Sequence, residues 1–359
     1  MITTAMKYRR NIRRFIGAAI MLPVMMMLLL SSCYRRLIEE DEIRQEALIQ
    51  VNIDWNSSGI DSNTIHKVSI RFFPKDDNGA AFDCYLEGNE SQGEIMVPVG
   101  SYSVIVFNEA INDANYWANS IVFSDENSYN DFAANAVTLS ETARLQQFPY
   151  YVPQQGEQFI IEPIRRLASW SLDNFEVTDN MILVTQGYRP ASSLTVEENN
   201  MLNALKQITM RALIRPVTIT AQVENLVSAQ TMYLAMQGLS RKVNMATGIT
   251  THSPSTYLFI LNGRQYALNQ RDGTARNTFL CFGRTPEPES YIITADILLR
   301  SNVLYEPTTP LLFNVTNQLI SGYQTNVPVN LNISIILPYI EGGVAIDDWG
   351  DDEELTVIQ

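Results

Sequence analysis

The chain has 359 residues, 46% hydrophobic and 18% charged, which is enough apolar material for two domains with real cores. That balance excludes a disordered, collagenous or disulfide-stapled chain as a whole. Its 39 acidic residues against 25 basic ones give a net charge of −14, which argues against broad nucleic-acid binding. Two histidines, His66 and His252, and three cysteines leave little material for histidine catalysis or a zinc site. No serine sits in a Gly-x-Ser-x-Gly context, and neither histidine has an evident serine or cysteine partner, so the sequence reads as non-enzymatic, without cofactor or metal.

The first residues concern the compartment. Lys7, Arg9, Arg10, Arg13 and Arg14 precede a mostly apolar stretch from Ile16 to Leu30, and then comes Leu30-Ser31-Ser32-Cys33. Basic, apolar and small-residue regions in that order form a secretory signal peptide. The apolar stretch is short for a membrane span, which needs about 20 residues. Leu30, Ser31, Ser32 and Cys33 resemble a bacterial lipobox. That resemblance implies signal-peptidase recognition of Leu30, Ser31 and Ser32, cleavage after residue 32, and diacylglyceryl and acyl (palmitate-type) chains on Cys33. Several acyl chains hold a protein on a membrane without a spanning helix. Cleavage removes five basic residues and no acid, leaving 20 basic residues against 39 acidic ones and a net charge of −19. Residues 33–46, with the run Glu39-Glu40-Asp41-Glu42, form an acidic tether.

The mature chain reads as all-β. Ala47–Trp55 alternates, with Val51, Ile53 and Trp55 on one face. Ile65–Phe73 is rich in β-formers and stops at Pro74; Lys75-Asp76-Asp77-Asn78-Gly79 is a turn, and Phe82–Leu86 follows as a strand. Glu94–Val97, Pro98-Val99-Gly100 and Tyr102–Phe107 read as strand, tight turn and strand. Tyr116–Phe123, Ala136–Leu139 and Gln158–Glu162 are further candidates, the last inside a proline-punctuated irregular stretch. Ser193 to Gln207 is the one convincing helix: Glu197 and Glu198 suit its first turn, and Met201, Leu202, Leu205 and Ile208 recur at helical spacing as a face for a sheet. Strands are expected again at Ala212–Val223, Thr231–Met236, Tyr257–Leu261, Arg264–Leu268, Asn277–Phe282, Tyr291–Leu299 and Val327–Leu337. Asn262-Gly263 is a hairpin signal between two of them, and Gln270-Arg271-Asp272-Gly273 marks another turn.

Many short strands without βα alternation argue for β-sandwiches, with sandwich domains at 47–190 and 191–340 and an acidic tail at 341–359. That tail holds seven acids and no base, and Glu354, Leu355, Thr356, Val357 and Ile358 form a further candidate strand. Its carboxylates offer hard oxygens for calcium, but the spacing of an EF-hand loop is missing and a solvated edge is the simpler reading. With Cys33 lipidated, Cys84 and Cys281 remain, far apart in sequence, and are expected as two separate thiols.

Four segments resemble the fimbrillin-type lipoproteins of Bacteroidota. They are the lipobox with Cys33-Tyr34-Arg35-Arg36-Leu37, Val51-Asn52-Ile53-Asp54-Trp55, Val97-Pro98-Val99-Gly100-Ser101-Tyr102 with Val106-Phe107-Asn108, and Gly342-Gly343-Val344-Ala345-Ile346-Asp347-Asp348-Trp349-Gly350. The resemblance implies two tandem transthyretin-like, Greek-key sandwiches, a place on the outer membrane at the cell surface, and assembly with other fimbrillin-type subunits by strand exchange. In polymerising members an arginine-specific protease removes the first strand, and a neighbour's C-terminal strand replaces it. Here Arg44 precedes the first expected strand, and the next basic residues, Lys67 and Arg71, fall inside the second. This chain is therefore expected to keep its first strand and its lipid, as an anchor or accessory subunit, and to offer residues 354–358 as a donor strand. The alternative is a surface glycan-binding lipoprotein of a polysaccharide-uptake system, with Tyr116 and Trp117, or Tyr150 and Tyr151, as sugar platforms.

Overall fold

A computed structural model describes residues 45–76, 79–87, 91–109, 111, 120–153, 157–161, 164–286, 290–307, 310–324 and 329–340. Its strands in chain order are β1 (Glu46–Asp54), β2 (Lys67–Pro74), β3 (Phe82–Glu87), β4 (Gln92–Pro98), β5 (Gly100–Asn108), β6 (Ile121–Ser124) and β7 (Ala133–Ala136). Helix α1 (Glu141–Gln147), β8 (Phe159–Ile161), β9 (Ala168–Val177), α2 (Asp179–Thr185) and α3 (Val196–Ala204) follow. Then come β10 (Ile208–Thr209), β11 (Arg211–Ala212), β12 (Arg215–Glu224), β13 (Ala229–Ser240), β14 (Lys242–Asn244), β15 (Pro254–Ile260) and β16 (Gly263–Tyr266). β17 (Gly273–Cys281), β18 (Ile292–Leu299), β19 (Leu312–Asn314), α4 (Thr316–Gln324) and β20 (Val329–Ile336) complete the described chain. The molecule is mostly strand, as the sequence predicts, and the chain divides into two compact units.

One unit comprises residues 1–50, 94–100 and 176–204. Its described part holds the first half of β1, most of β4, and helices α2 and α3. Thr178 caps α2 by accepting from the Met181 N–H, and Met181 and Ile182 are buried. Thr195 and Glu198 form a reciprocal capping box at the start of α3: the Glu198 N–H donates to Thr195 Oγ1 at 3.1 Å, and the Thr195 N–H to Glu198 Oε2 at 2.9 Å. Thr178 Oγ1 and Asn180 Nδ2 also donate to the Glu198 carboxylate, at 2.5 and 2.9 Å, so one acid ties the two helix starts together. Those bonds, Thr178 foremost, hold the Glu198 carboxyl below its ordinary pKa.

The other unit comprises residues 51–93, 101–175 and 205–359. A four-stranded sheet in the order β16-β17-β12-β20 and a five-stranded sheet in the order β19-β18-β13-β15-β8 supply most of its apolar core. Val217, Ile219, Ala221 and Val223 of β12 share that core with Met232, Leu234 and Met236 of β13. Phe259 of β15 stacks on Phe279 of β17 with ring centroids 5.0 Å apart, which joins the two sheets directly. β20 runs parallel to β12 over its whole length. A second five-stranded sheet runs β11-β9-β5-β2-β3. In β13 the register slips between Gln237 and Leu239 around Gly238 at φ +93°, where a Cβ would lie 3.1 Å from the Tyr291 ring.

Three local expectations change. The helix ends at Ala204 and buries none of its residues; Leu205 and Ile208 are buried beyond it, Ile208 as part of β10 pairing in parallel with β1. Tertiary pairing at 208–212 overrides the helical spacing there. Asn262-Gly263 does not close a hairpin, because β15 pairs with β13 and β8 while β16 pairs with β17. Gly263 is there for close approach: a Cβ would sit 3.1 Å from the Arg276 carbonyl oxygen. Likewise β4 and β5 are not paired across Pro98-Val99-Gly100, since β5 pairs with β2 and β9 and the sheet containing β4 runs β10-β1-β4.

Candidate functional site

The sequence points to the first strand as the element on which assembly turns. In β1, Ala47, Ile49, Val51 and Ile53 are at most 3% exposed and alternate with outward residues. Its backbone is satisfied along both margins. The Leu48 N–H donates to Thr185 Oγ1 at 3.1 Å, and Gln186 Nε2 donates to the Glu46 carbonyl at 2.9 Å. Farther along, the Asn52 N–H donates to the Leu205 carbonyl at 2.8 Å and the Ile53 N–H to the Ser91 carbonyl at 2.7 Å. A strand bonded on both margins and buried on one face is held by far more than an edge strand is.

Residues 55–66, between β1 and β2, contain no lysine or arginine. Lys67 opens β2, and Arg71 lies inside it, 5% exposed. Arg71 Nη1 pairs with Asp83 Oδ2 at 2.7 Å and Nε donates to the Glu126 carbonyl, while Phe73 and Phe132 flank the guanidinium. A protease reaching for arginine finds none exposed between these strands. Arg44 lies outside the described residues.

β20 differs. Val329, Leu331, Ile333 and Ile335 are buried, but β20 is the outer strand of its sheet among the described residues. Gln318 of α4 bonds the backbone of Asn332 twice, accepting from its N–H at 2.7 Å and donating to its carbonyl at 3.0 Å. The primary amide thus stands where one residue of a further strand would pair.

Other sequence candidates fall as follows. Leu30, Ser31, Ser32, Cys33, Tyr116, Trp117 and the tail with Glu354, Leu355, Thr356, Val357 and Ile358 lie outside the described residues. Tyr151 is buried and donates to Glu157 Oε1 at 2.8 Å; burial pushes its phenol well above the ordinary value. Tyr150 leans on Tyr233 at 5.8 Å and 58°, so Tyr150 and Tyr151 do not form one flat, open platform. Cys84 and Cys281 are two separate thiols, half-buried and buried respectively. The Gly79 N–H donates to the Asp76 carbonyl at 3.3 Å; Asp77 and Asn78 lie outside the described residues. Among the described residues no cluster of three or more metal-ligating side chains occurs, and no helix is long and apolar enough to cross a membrane. Buried Arg144 went unread in the sequence: it pairs with Glu141 at 2.6 Å and donates to the Phe148 and Tyr151 carbonyls, fastening the loop after α1. The signal available for it was Ser140-Glu141 as a helix start.

These features define a mostly-β protein of packed sheets whose first strand is built in. The chain belongs to the family described as "Domain of unknown function (DUF5119)", whose model matches residues 32–260. It is 32% identical over 108 residues to a Bacteroides ovatus protein named "Putative fimbrium anchoring subunit Fim4B". That match spans 30% of this chain and 28% of the relative's length. A solved structure described as "a putative adhesin from Bacteroides ovatus" shares the fold at a TM-score of 0.53 and 16% identity, covering 83% of this chain and 94% of that one. "The fimbrial anchor protein Mfa2 from Porphyromonas gingivalis" aligns at a TM-score of 0.40 and 12% identity over 81% of this chain and 90% of that one. The chain is thus similar over 108 residues to a protein named as a fimbrium anchoring subunit, and it shares its fold with a protein described as a putative adhesin.

Proposed function

We propose that this protein is a non-enzymatic, lipid-anchored subunit of a cell-surface fimbria, acting as anchor or accessory subunit rather than as stalk. The observation that carries the reading is β1: four core residues, backbone bonds on both margins, and no exposed arginine between it and β2. A stalk subunit must lose its first strand to open a groove, and this chain is built to keep it. The curated relative named as a fimbrium anchoring subunit supports the same role.

In this reading Cys33 carries the lipid and holds the chain on the outer membrane, facing outward. Residues 47–190 and 191–340 are two tandem transthyretin-like sandwiches. The tail offers Glu354–Ile358 as a strand to a fimbrillin-type partner, whose open groove supplies unpaired backbone and an apolar channel. The test is recovery of the tagged protein from membranes with identification of what accompanies it, beside Cys33→Ala and a deletion of residues 344–359. Cys33→Ala should release the protein from the membrane, and the deletion should abolish recovery of the partner subunit. Recovery with a polysaccharide and no fimbrial subunit would replace this reading with glycan binding.

A further inference from the structure

In a chain with 39 acids and 25 bases, three arginines line one open cavity of about 600 Å³, formed by residues 57–59, 166, 209–212 and 214–216. They are Arg166, Arg211 and Arg215. Arg166 and Arg211 are both solvent-exposed, and neither forms an ion pair among the described residues. Each is aimed by neutral acceptors instead. Arg166 Nη1 donates to the Gly59 carbonyl at 2.7 Å; Arg211 Nη2 donates to the Ala246 carbonyl at 3.1 Å and to Ser169 Oγ at 3.4 Å. A carbonyl orients a guanidinium without cancelling its charge, and each guanidinium keeps further N–H donors for a ligand.

The backbone is shaped to these side chains. Gly59 has φ +66°, and a Cβ there would lie 3.3 Å from Arg166 Nη1; Gly248 has φ +69°, and a Cβ there would lie 2.8 Å from Arg211 Nε. Both are left-handed positions, which glycine adopts without the strain that another side chain meets there. Half-buried Pro216 and the edge of Ile214, backed by fully buried Met210, give the same cavity an apolar side. A fitting occupant brings carboxylates flanking an apolar group.

We infer that this cavity is a binding site for an acidic peptide, and that the occupant is this chain's own C-terminal segment around Asp347-Asp348-Trp349-Gly350-Asp351-Asp352. That segment has four carboxylates around one indole, and residues 341–359 carry no base. Carboxylates meet guanidinium forks in paired, charge-assisted bonds, and the indole meets the apolar side.

The experiment uses the full mature chain with Asp347, Asp348, Asp351 and Asp352 changed to Asn and Glu353 and Glu354 to Gln, so that its own tail does not compete. The probe is a fluorescein-labelled peptide of residues 344–354, read by anisotropy at low salt. Saturable binding is expected, falling as salt is added, and weakened about tenfold by Arg211→Gln and by Arg166→Gln. Arg166→Gln guards against misfolding, since its exposed side chain makes one bond to a carbonyl; its thermal midpoint should match the parent. Absence of saturable binding, or binding by both arginine variants as tight as the parent's, overturns the inference. Binding of polygalacturonate in place of the peptide overturns it in favour of an anionic glycan.

Discussion

β1 and β20 carry the same alternation of buried and outward residues, yet they are held differently. β1 is bonded along both margins, to side chains of residues 185 and 186 and to the carbonyls of Leu205 and Ser91. β20 pairs with β12 on one side, and on the other Gln318 bonds the backbone of Asn332. Burial pattern therefore says that a strand belongs to a core. Only its margins say whether it can be exchanged or extended, and on that measure β1 is fixed and β20 is guarded.

The largest expected effect protects the fixed end. Arg71→Ala empties a buried position in β2 and leaves the half-buried Asp83 carboxylate with the Tyr85 hydroxyl at 3.3 Å in place of its ion pair, and should cost about 3–5 kcal/mol in urea unfolding. A cost near zero would mean that Arg71 is not locked in β2 and is open to proteases. Next, Ile49→Ala in β1 should cost about 2–5 kcal/mol, whereas Ile336→Ala, 65% exposed at the end of β20, should stay within about 0.5 kcal/mol. Equal effects would erase the contrast between the two strands. Gln318→Ala removes two bonds of about 1 kcal/mol each and should promote association through the uncovered margin, seen as larger species by sedimentation. A variant that stays unassociated would deny the guarding role.

The smallest effect is pH-dependent. Glu198→Gln keeps an amide oxygen for the Thr195 N–H but loses the charge behind the bonds from Thr178 and Asn180, and should cost about 1 kcal/mol at neutral pH in the unit containing the first half of β1. Its carboxyl pKa is lowered by folding, so its contribution is present above the unfolded-state value and is lost as pH falls through the folded one. The difference between parent and variant should therefore close in acid. A gap that widens on acidification would contradict the assignment.

Strand positions were widely legible, because alternation at β1, β12, β18 and β20 reports a face turned to a core. Strand partners were not. Pro98-Val99-Gly100 and Asn262-Gly263 have hairpin chemistry, but each joins strands that pair elsewhere, and a turn sequence does not record which sheet the chain enters next. The short helices α1 and α2 carry their information in the single cap residues Ser140 and Thr178, which a search for amphipathic periodicity passes over. At α3, Thr195 and Glu198 mark the start as a capping box, while the apolar spacing of Leu205 and Ile208 continues past the end of the helix into β10. The arginine cavity was invisible for another reason: Arg166 and Arg211 are far apart in sequence and are aimed by backbone carbonyls, which no motif encodes.

The most direct test is to recover the protein from bacterial envelopes after exposure to an arginine-specific protease and measure its intact mass and its partners. Untreated envelopes should yield a chain that begins at an acylated Cys33; after exposure the chain should still contain β1 and bring a fimbrial subunit with it. A chain that begins after β1, or one recovered without any fimbrial subunit, would contradict it.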